Sequence, residues 1–182
     1  MNTTECPDTT LLISLAILLT ISSIMDIRER RIPNWITYST MVFAILYHAG
    51  CQGMEGFIFS LKGFGIGLGA FIPFYFLGMM GAGDVKLMAA IGTILGFEGT
   101  LYALYYSAIL GGIYGLIVLL LNRALLRALI HRLIRTGKMF ISTGELIFIP
   151  PPHEEAKARL CYGLAISFGT INYIFLLYIS RY

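Results

Sequence analysis

Charged residues are scarce in this 182-residue chain, at 13% of the composition, whereas hydrophobic residues make up 57%. This imbalance excludes an ordinary soluble domain, in which about a quarter of the residues carry a charge. Cysteine is also scarce, with three residues and no Cys-x-x-Cys pair, so the sequence predicts no thiolate zinc site. The three histidines are scattered along the chain, and we expect neither a metal nor a cofactor.

Long apolar runs separated by short polar islands are typical of a polytopic membrane protein. A helix needs about 20 apolar residues to cross a bilayer, so about six crossings fit this length. We therefore predict an all-α polytopic membrane protein with about six transmembrane helices. The candidate spans are residues 9–25, 34–50, 56–79, 84–97, 100–121 and 160–179. The fourth has only 14 residues, so it must be thinly covered by lipid or extend through the glycines before it.

The basic residues lie almost entirely on one side of these spans. Eleven of the thirteen Lys and Arg residues follow the first, third or fifth span, and such residues are enriched on the cytoplasmic side. We therefore predict a multi-pass plasma-membrane protein with both termini outside, and nothing in this distribution indicates nucleic-acid binding. Cys6 and Cys51 fall on the outer side, where a disulfide is permitted, and the sequence leaves their pairing open.

Residues 122–159 form the one sizeable predicted loop, which we place in the cytoplasm as part of a single membrane domain, 1–182. Its first part, 123–135, has leucine and isoleucine on one helical face and a basic residue every four positions on another. This pattern predicts an amphipathic helix on the anionic inner leaflet, or equally an extension of the fifth span.

Glycines recur at the spacing that allows helices to pack closely in lipid. The run Gly63, Gly65, Gly67 and Gly69 contains two overlapping small-xxx-small pairs. We interpret these glycines as helix-packing positions.

Two aspartates lie at the ends of predicted spans. An ionisable group there is energetically costly and usually has a function. Asp26 ends the first span and Asp84 begins the fourth, with two complete crossings between them. An even number of crossings returns the chain to the same face, so we expect both carboxyls at the cytoplasmic boundary. Two neighbouring carboxyls share a proton and can act as base and acid, as in aspartic proteases. Alternatively, each aspartate only caps a helix or pairs with Arg28 or Lys86.

Several neighbours of the two aspartates are candidates for supporting roles. Gly81 and Gly83 would allow unusual backbone dihedrals at Asp84 and a close approach of a substrate strand. Asn34, which follows Pro33, is a plausible cap for the second helix and would fix the hairpin that carries Asp26. Lys86 faces away from Asp84, because residues two apart point in different directions on a helix, and we expect an interfacial anchor or a phosphate contact.

These stretches carry a family resemblance. Gly81-Ala82-Gly83-Asp84 resembles the GxGD motif of the prepilin peptidases. The run from Asp26 to Asn34, with Ile32-Pro33-Asn34 at its end, is similar to that family's first aspartate motif. The run Tyr162-Gly163-Leu164-Ala165 is similar to its last motif, although Cys161 stands where proline is usual.

The resemblance implies a GxGD-type aspartic endopeptidase that removes the basic leader of type IV prepilins or pseudopilins at the cytoplasmic face. It implies Asp26 and Asp84 as the catalytic pair. Larger family members carry a Cys-x-x-Cys insert between the first two spans that is associated with N-methylation. This chain has no such insert and resembles the minimal branch found with Flp-type pili, so we predict that methyltransferase activity is absent.

Two interpretations from other classes stay open at this point. A small proton-coupled carrier could use Asp26 and Asp84 as relay groups, but carriers usually show repeated halves and sites near the membrane midplane. A non-catalytic assembly subunit of a secretion system would tolerate the loss of either carboxyl. The sequence does not indicate the oligomeric state.

Overall fold

The structure is a computed structural model that describes residues 8–76, 80–121 and 162–180. Four helices make up this part of the chain: α1 (Thr9–Glu29), α2 (Asn34–Phe76), α3 (Ala82–Leu121) and α4 (Tyr162–Ile179). No strand occurs among these residues. Each helix is long and apolar enough to cross a membrane, so the predicted all-α membrane class is confirmed.

The two longest helices are each interrupted by a glycine with non-helical backbone angles. An uninterrupted helix of the 43 residues of α2 would be about 65 Å long, roughly twice the hydrocarbon thickness of a bilayer. Gly53 (φ 60°, ψ −136°) divides α2 into residues 34–52 and 54–76. Gly96 (φ 68°, ψ −168°) divides α3 into residues 82–95 and 97–121. Glycine occupies both positions because side chains disfavour a positive φ.

The chain folds back on itself at both glycines. A Cβ atom built on Gly56 would overlap the carbonyl oxygen of His48, yet residues eight apart on a straight helix lie about 12 Å apart. In the same way, a Cβ atom built on Gly92 would lie 3.2 Å from Thr100 Oγ1. Each interrupted helix is therefore a hairpin of two helical segments, and Gly53 lies in the gap predicted between the second and third spans.

Segment 82–95 of α3 is the central helix of the structure. The side chains of Leu87, Met88, Ala89, Ala90 and Ile91 have no exposed surface. The sequence left two alternatives for this short span, thin lipid cover or extension through the glycines before it. Its burial fits the first, and α3 also begins at Ala82, before Gly83. Because Asp84 lies at the start of this segment, a helix that is almost fully buried within the described part of the chain holds one of the two candidate carboxyls in place.

The alternating glycines of segment 54–76 divide into a packed pair and an open pair. Cβ atoms built on Gly63 and Gly67 would overlap the carbonyl oxygens of Gly92 and Met88, whereas those built on Gly65 and Gly69 meet nothing within 4 Å. The packed pair therefore holds segment 54–76 against the central helix. The predicted packing role is thus present at one pair only.

We expect Gly63→Ala to destabilise the folded protein and Gly65→Ala to leave its stability unchanged. The first substitution places a methyl group on the Gly92 backbone, whereas the second points into open space. Overpacking of this kind costs about 1–3 kcal/mol, or more where backbone must move. Thermal unfolding of the two variants in detergent would measure the difference, and equal melting temperatures would contradict this account of the packing.

The chain divides into two compact units, Met1–Gly111 with Cys161–Tyr182, and Gly112–Leu160. The described part of the second unit is the C-terminal end of α3. The predicted amphipathic helix at 123–135, the rest of the 122–159 loop, Cys6 and Cys161 lie outside the described residues. Every candidate site residue named above belongs to the first unit.

Candidate active site

Asp26 lies in the last turn of α1 and is buried, with 6% of its surface exposed. The helix ends at Arg30, whose left-handed conformation (φ 52°, ψ 35°) turns the chain and whose N–H donates to Asp26 O at 3.1 Å. Pro33 follows, and α2 begins at Asn34. This short connection keeps the carboxyl of α1 next to the start of α2.

Asp84 lies in the first turn of α3 and is likewise buried. The Gly81 N–H donates to Asp84 Oδ2 at 3.1 Å, and the Asp84 N–H donates to Gly81 O at the same distance. The first bond is one half of a capping box, in which the side chain of the third helical residue accepts the N–H of the capping residue. The second is a backbone turn bond, because glycine has no side chain to complete the box. The capping role considered for Asp84 is therefore real, and it also fixes the orientation of the carboxyl.

Ile32, in the α1–α2 connection, joins the surroundings of the two aspartates. A Cβ atom built on Gly83 would lie 3.1 Å from Ile32 Cβ, and one built on Gly163 would lie 3.2 Å from Ile32 Cδ1. The same Cβ atom built on Gly163 would lie 2.8 Å from Asp26 Oδ2. One buried side chain thus contacts the glycine before Asp84 and the glycine beside Asp26, and the structure brings both candidate residues into one cluster at the helix ends.

The start of α4 completes this cluster. The backbone N–H groups of Gly163 and Leu164 stabilise the Asp26 carboxylate, and the charge of Asp84 acts on the phenol of Tyr162. A helix N-terminus carries partial positive charge and free N–H donors, so it stabilises a carboxylate. The sequence had predicted α4 as the span 160–179, but only the Tyr162-Gly163 motif linked it to the site, and neither residue had been given a role there.

The two motif glycines act differently from the sequence-based expectation. We expected these glycines to allow unusual dihedrals at Asp84; in the structure Asp84 is helical, and the positive-φ glycines of the described chain are Gly53 and Gly96. Gly83 is instead a packing position against Ile32. Gly81 supplies the N–H that binds Asp84.

Lys86 connects the starts of α2 and α3. Its Nζ donates to Asn34 Oδ1 at 3.0 Å and lies 5.1 Å from the centre of the Tyr38 ring. The Asn34 side chain, predicted to cap α2, thus accepts a hydrogen bond from α3. The contact holds the α1–α2 connection, and with it Ile32, beside the turn that carries Asp84.

Asp26 and Asp84 are both buried, their surroundings share Ile32, and each lies beside backbone N–H groups. Neighbouring carboxyls in such surroundings can divide the roles of base and acid. The ionised member can accept a proton from water while the protonated member polarises a carbonyl. The described geometry therefore suits hydrolysis of an amide bond presented at this end of the helices.

Comparison with known proteins also indicates a peptidase. A sequence profile of the type IV leader peptidase family matches residues 13–116. The prepilin leader peptidase/N-methyltransferase of Vibrio cholerae is 26% identical over 117 residues, covering 61% of this chain and 46% of that protein. The enzyme of the same name from Bacillus subtilis is 33% identical over 115 residues, with coverages of 58% and 43%. The matches thus span less than half the length of these relatives, and no solved structure matches significantly.

Proposed function

This chain belongs to the type IV leader peptidase family, and on that premise we propose that it is an aspartic endopeptidase that removes the leader of type IV prepilins or pseudopilins. The observation that carries the proposal is the cluster in which Ile32 and Gly163 connect the surroundings of Asp26 and Asp84. The family match covers both aspartates, and their shared neighbour Ile32 supports a common location for them.

In the proposed reaction the Asp26–Asp84 pair shares one proton. The ionised carboxyl takes a proton from a water molecule, and the resulting hydroxide attacks the scissile carbonyl, which the protonated carboxyl polarises. The proton then passes to the leaving amine as the C–N bond breaks. The N–H groups of Gly163 and Leu164 hold Asp26, and the Gly81 N–H holds Asp84, so neither carboxyl has to reorient during the step.

The proposed topology has six crossings, with α2 and α3 each contributing two through the turns at Gly53 and Gly96. Arg28, Arg31 and Lys86 stand near the aspartates, whereas Glu55 and Glu98 stand near the two turns. The positive-inside rule therefore supports a cytoplasmic active site and termini outside. This is the depth at which a precursor with a basic leader and an apolar helix has its cleavage site.

We further propose that this protein processes Flp-type pilins and does not methylate the new N-terminus. The relatives are named for both peptidase and N-methyltransferase activities. In this chain α1 and α2 are joined by residues 30–33, which leave no room for a Cys-x-x-Cys insert. Mass spectrometry of the processed pilin would detect a methylated N-terminus and so contradict this part of the proposal.

Co-expression with a candidate prepilin tests the proposed function directly. Leader removal should shift the pilin to a lower mass on a gel, and N-terminal sequencing should place the cut directly after the leader. An intact precursor at full enzyme insertion, across a set of prepilins, would count against the peptidase. A pH gradient dissipated by the purified protein in vesicles would favour a carrier instead.

Gly83→Val is expected to reduce the cleavage rate by about tenfold or more, because it displaces Ile32 and with it the packing against Gly163 and Asp26. Gly65→Val is the matched control, since the same side chain there enters open space. Initial rates would be compared at equal insertion. Similar rates for the two variants would show that the Ile32 contact does not position the site.

A further inference from the structure

An apolar groove of about 760 Å³ runs between α1 and α4. Leu12, Leu15, Ala16 and Leu19 line it on α1, and the α4 side includes Ile171 and Phe175. Leu15 and Leu19 form a buried floor, whereas Ala16, Ile171 and Phe175 are exposed. The described part of the chain therefore leaves an open channel along the membrane-spanning portion of these two helices.

The residues that line the groove on α1 lie on the same helix face as Asp26. Positions 12, 15, 16 and 19 follow the helical spacing of one face, and the same spacing leads through Ser23 to Asp26. On α4 the face that contains Ile171 leads back to Leu164, whose backbone N–H stabilises the Asp26 carboxylate. The two lining faces thus converge on Asp26.

We propose, resting on the function proposed above, that this groove receives the apolar helix of the substrate that follows the scissile bond. At 1.5 Å per residue the groove begins about 10 Å from Asp26, at Leu19, and ends about 21 Å away, at Leu12. Substrate residues about 7 to 14 positions after the cut therefore occupy it.

The alignment of the lining helix faces with Asp26 favours a substrate helix over a lipid chain as the occupant. A substrate cleaved at Asp26 must enter the bilayer from that point, and the groove is the channel that begins on the same helix faces. A lipid chain could fill the same space, but it requires no alignment with a carboxyl. The two occupants are separated by the experiment below.

Ala16→Trp is designed to fill the groove, and Ala108→Trp is its control. Both alanines are exposed on membrane-spanning helices, and Ala108 does not line the groove. For a full-length prepilin, Ala16→Trp should raise KM by about tenfold or more, as expected when one or two apolar side chains lose their site. For a short substrate that ends six residues after the cut, both variants should match the wild type.

The short substrate separates this inference from the proposed function. If the wild type fails to cleave it and also fails to cleave full-length prepilin, the peptidase proposal fails, and the groove proposal falls with it. If the wild type cleaves both while Ala16→Trp behaves like Ala108→Trp on the full-length prepilin, the groove proposal alone is overturned.

Photo-crosslinking identifies the occupant independently of turnover. A benzoylphenylalanine at position 16 of the Asp84→Asn protein should crosslink to prepilin residues about 7–14 after the cut, and one at position 108 should not. Crosslinking at position 16 to lipid alone would overturn the proposal.

Discussion

Asp84→Asn is expected to abolish leader cleavage while the helix that carries residue 84 stays intact. Asparagine keeps an oxygen that can accept the Gly81 N–H bond seen at 3.1 Å, so the start of α3 remains capped, but its amide cannot exchange a proton with water or substrate. Asp26→Asn should also abolish cleavage and leave its helix intact, because the amide oxygen can still interact with the backbone N–H groups of Gly163 and Leu164. General acid–base groups contribute on the order of 10²–10⁴-fold, and we expect a loss of at least this size in the prepilin gel assay.

Glu55→Gln is the control for removing one carboxylate. Glu55 is exposed and lies beside the turn at Gly53, away from the cluster, so its loss should leave cleavage unchanged. Insertion and melting temperature of all three variants should equal those of the wild type. Substantial cleavage by either Asn variant would remove that aspartate from the mechanism.

Gly163→Ala should lower kcat by about a hundredfold with little change in KM. The new methyl group would lie 2.8 Å from Asp26 Oδ2 and 3.2 Å from its Cγ, so the carboxyl must move away from the donors of α4. A displacement of about 1 Å in a catalytic group can cost on the order of 10²-fold in rate. Single-turnover cleavage by purified enzyme would measure the effect.

Gly169→Ala separates a displaced carboxyl from simple overpacking. It lies on the same helix, and its added methyl group would overlap Ser107 and not an aspartate. We therefore expect Gly169→Ala to lower the melting temperature without changing kcat per folded molecule. Gly163→Ala should lower kcat without changing the melting temperature. Equal losses of kcat in the two variants would mean that Gly163 serves packing only.

The shared location of Asp26 and Asp84 could be anticipated because it depends on the number of apolar runs between them, and run length is readable from composition. The role of Gly163 could not, since its contact with Asp26 joins segments 137 positions apart and no spacing rule reaches that far. The effect of Ile32 was hidden for a similar reason, because an isoleucine beside a proline has many possible partners.

Glycine gave the least specific signal in the sequence. The chain has 20 glycines, and within the described chain two adopt a positive φ. The four-residue spacing of 63–69 fits two helix faces equally well, and only the position of α3 decides that Gly63 and Gly67 are the packed pair. Lys86 was likewise assigned to the membrane surface, whereas its partner Asn34 is supplied by α2.

The contribution of α4 to Asp26 has a consequence for biogenesis. The ribosome completes Asp26 and Asp84 long before Gly163 and Leu164, and at about 5–20 residues per second the 137 positions between Asp26 and Gly163 take roughly 7–27 s. During that interval the nascent chain holds both carboxyls but lacks the N–H donors that orient one of them. The arrangement around Asp26 is therefore completed only when α4, the last of the described helices, has been synthesised.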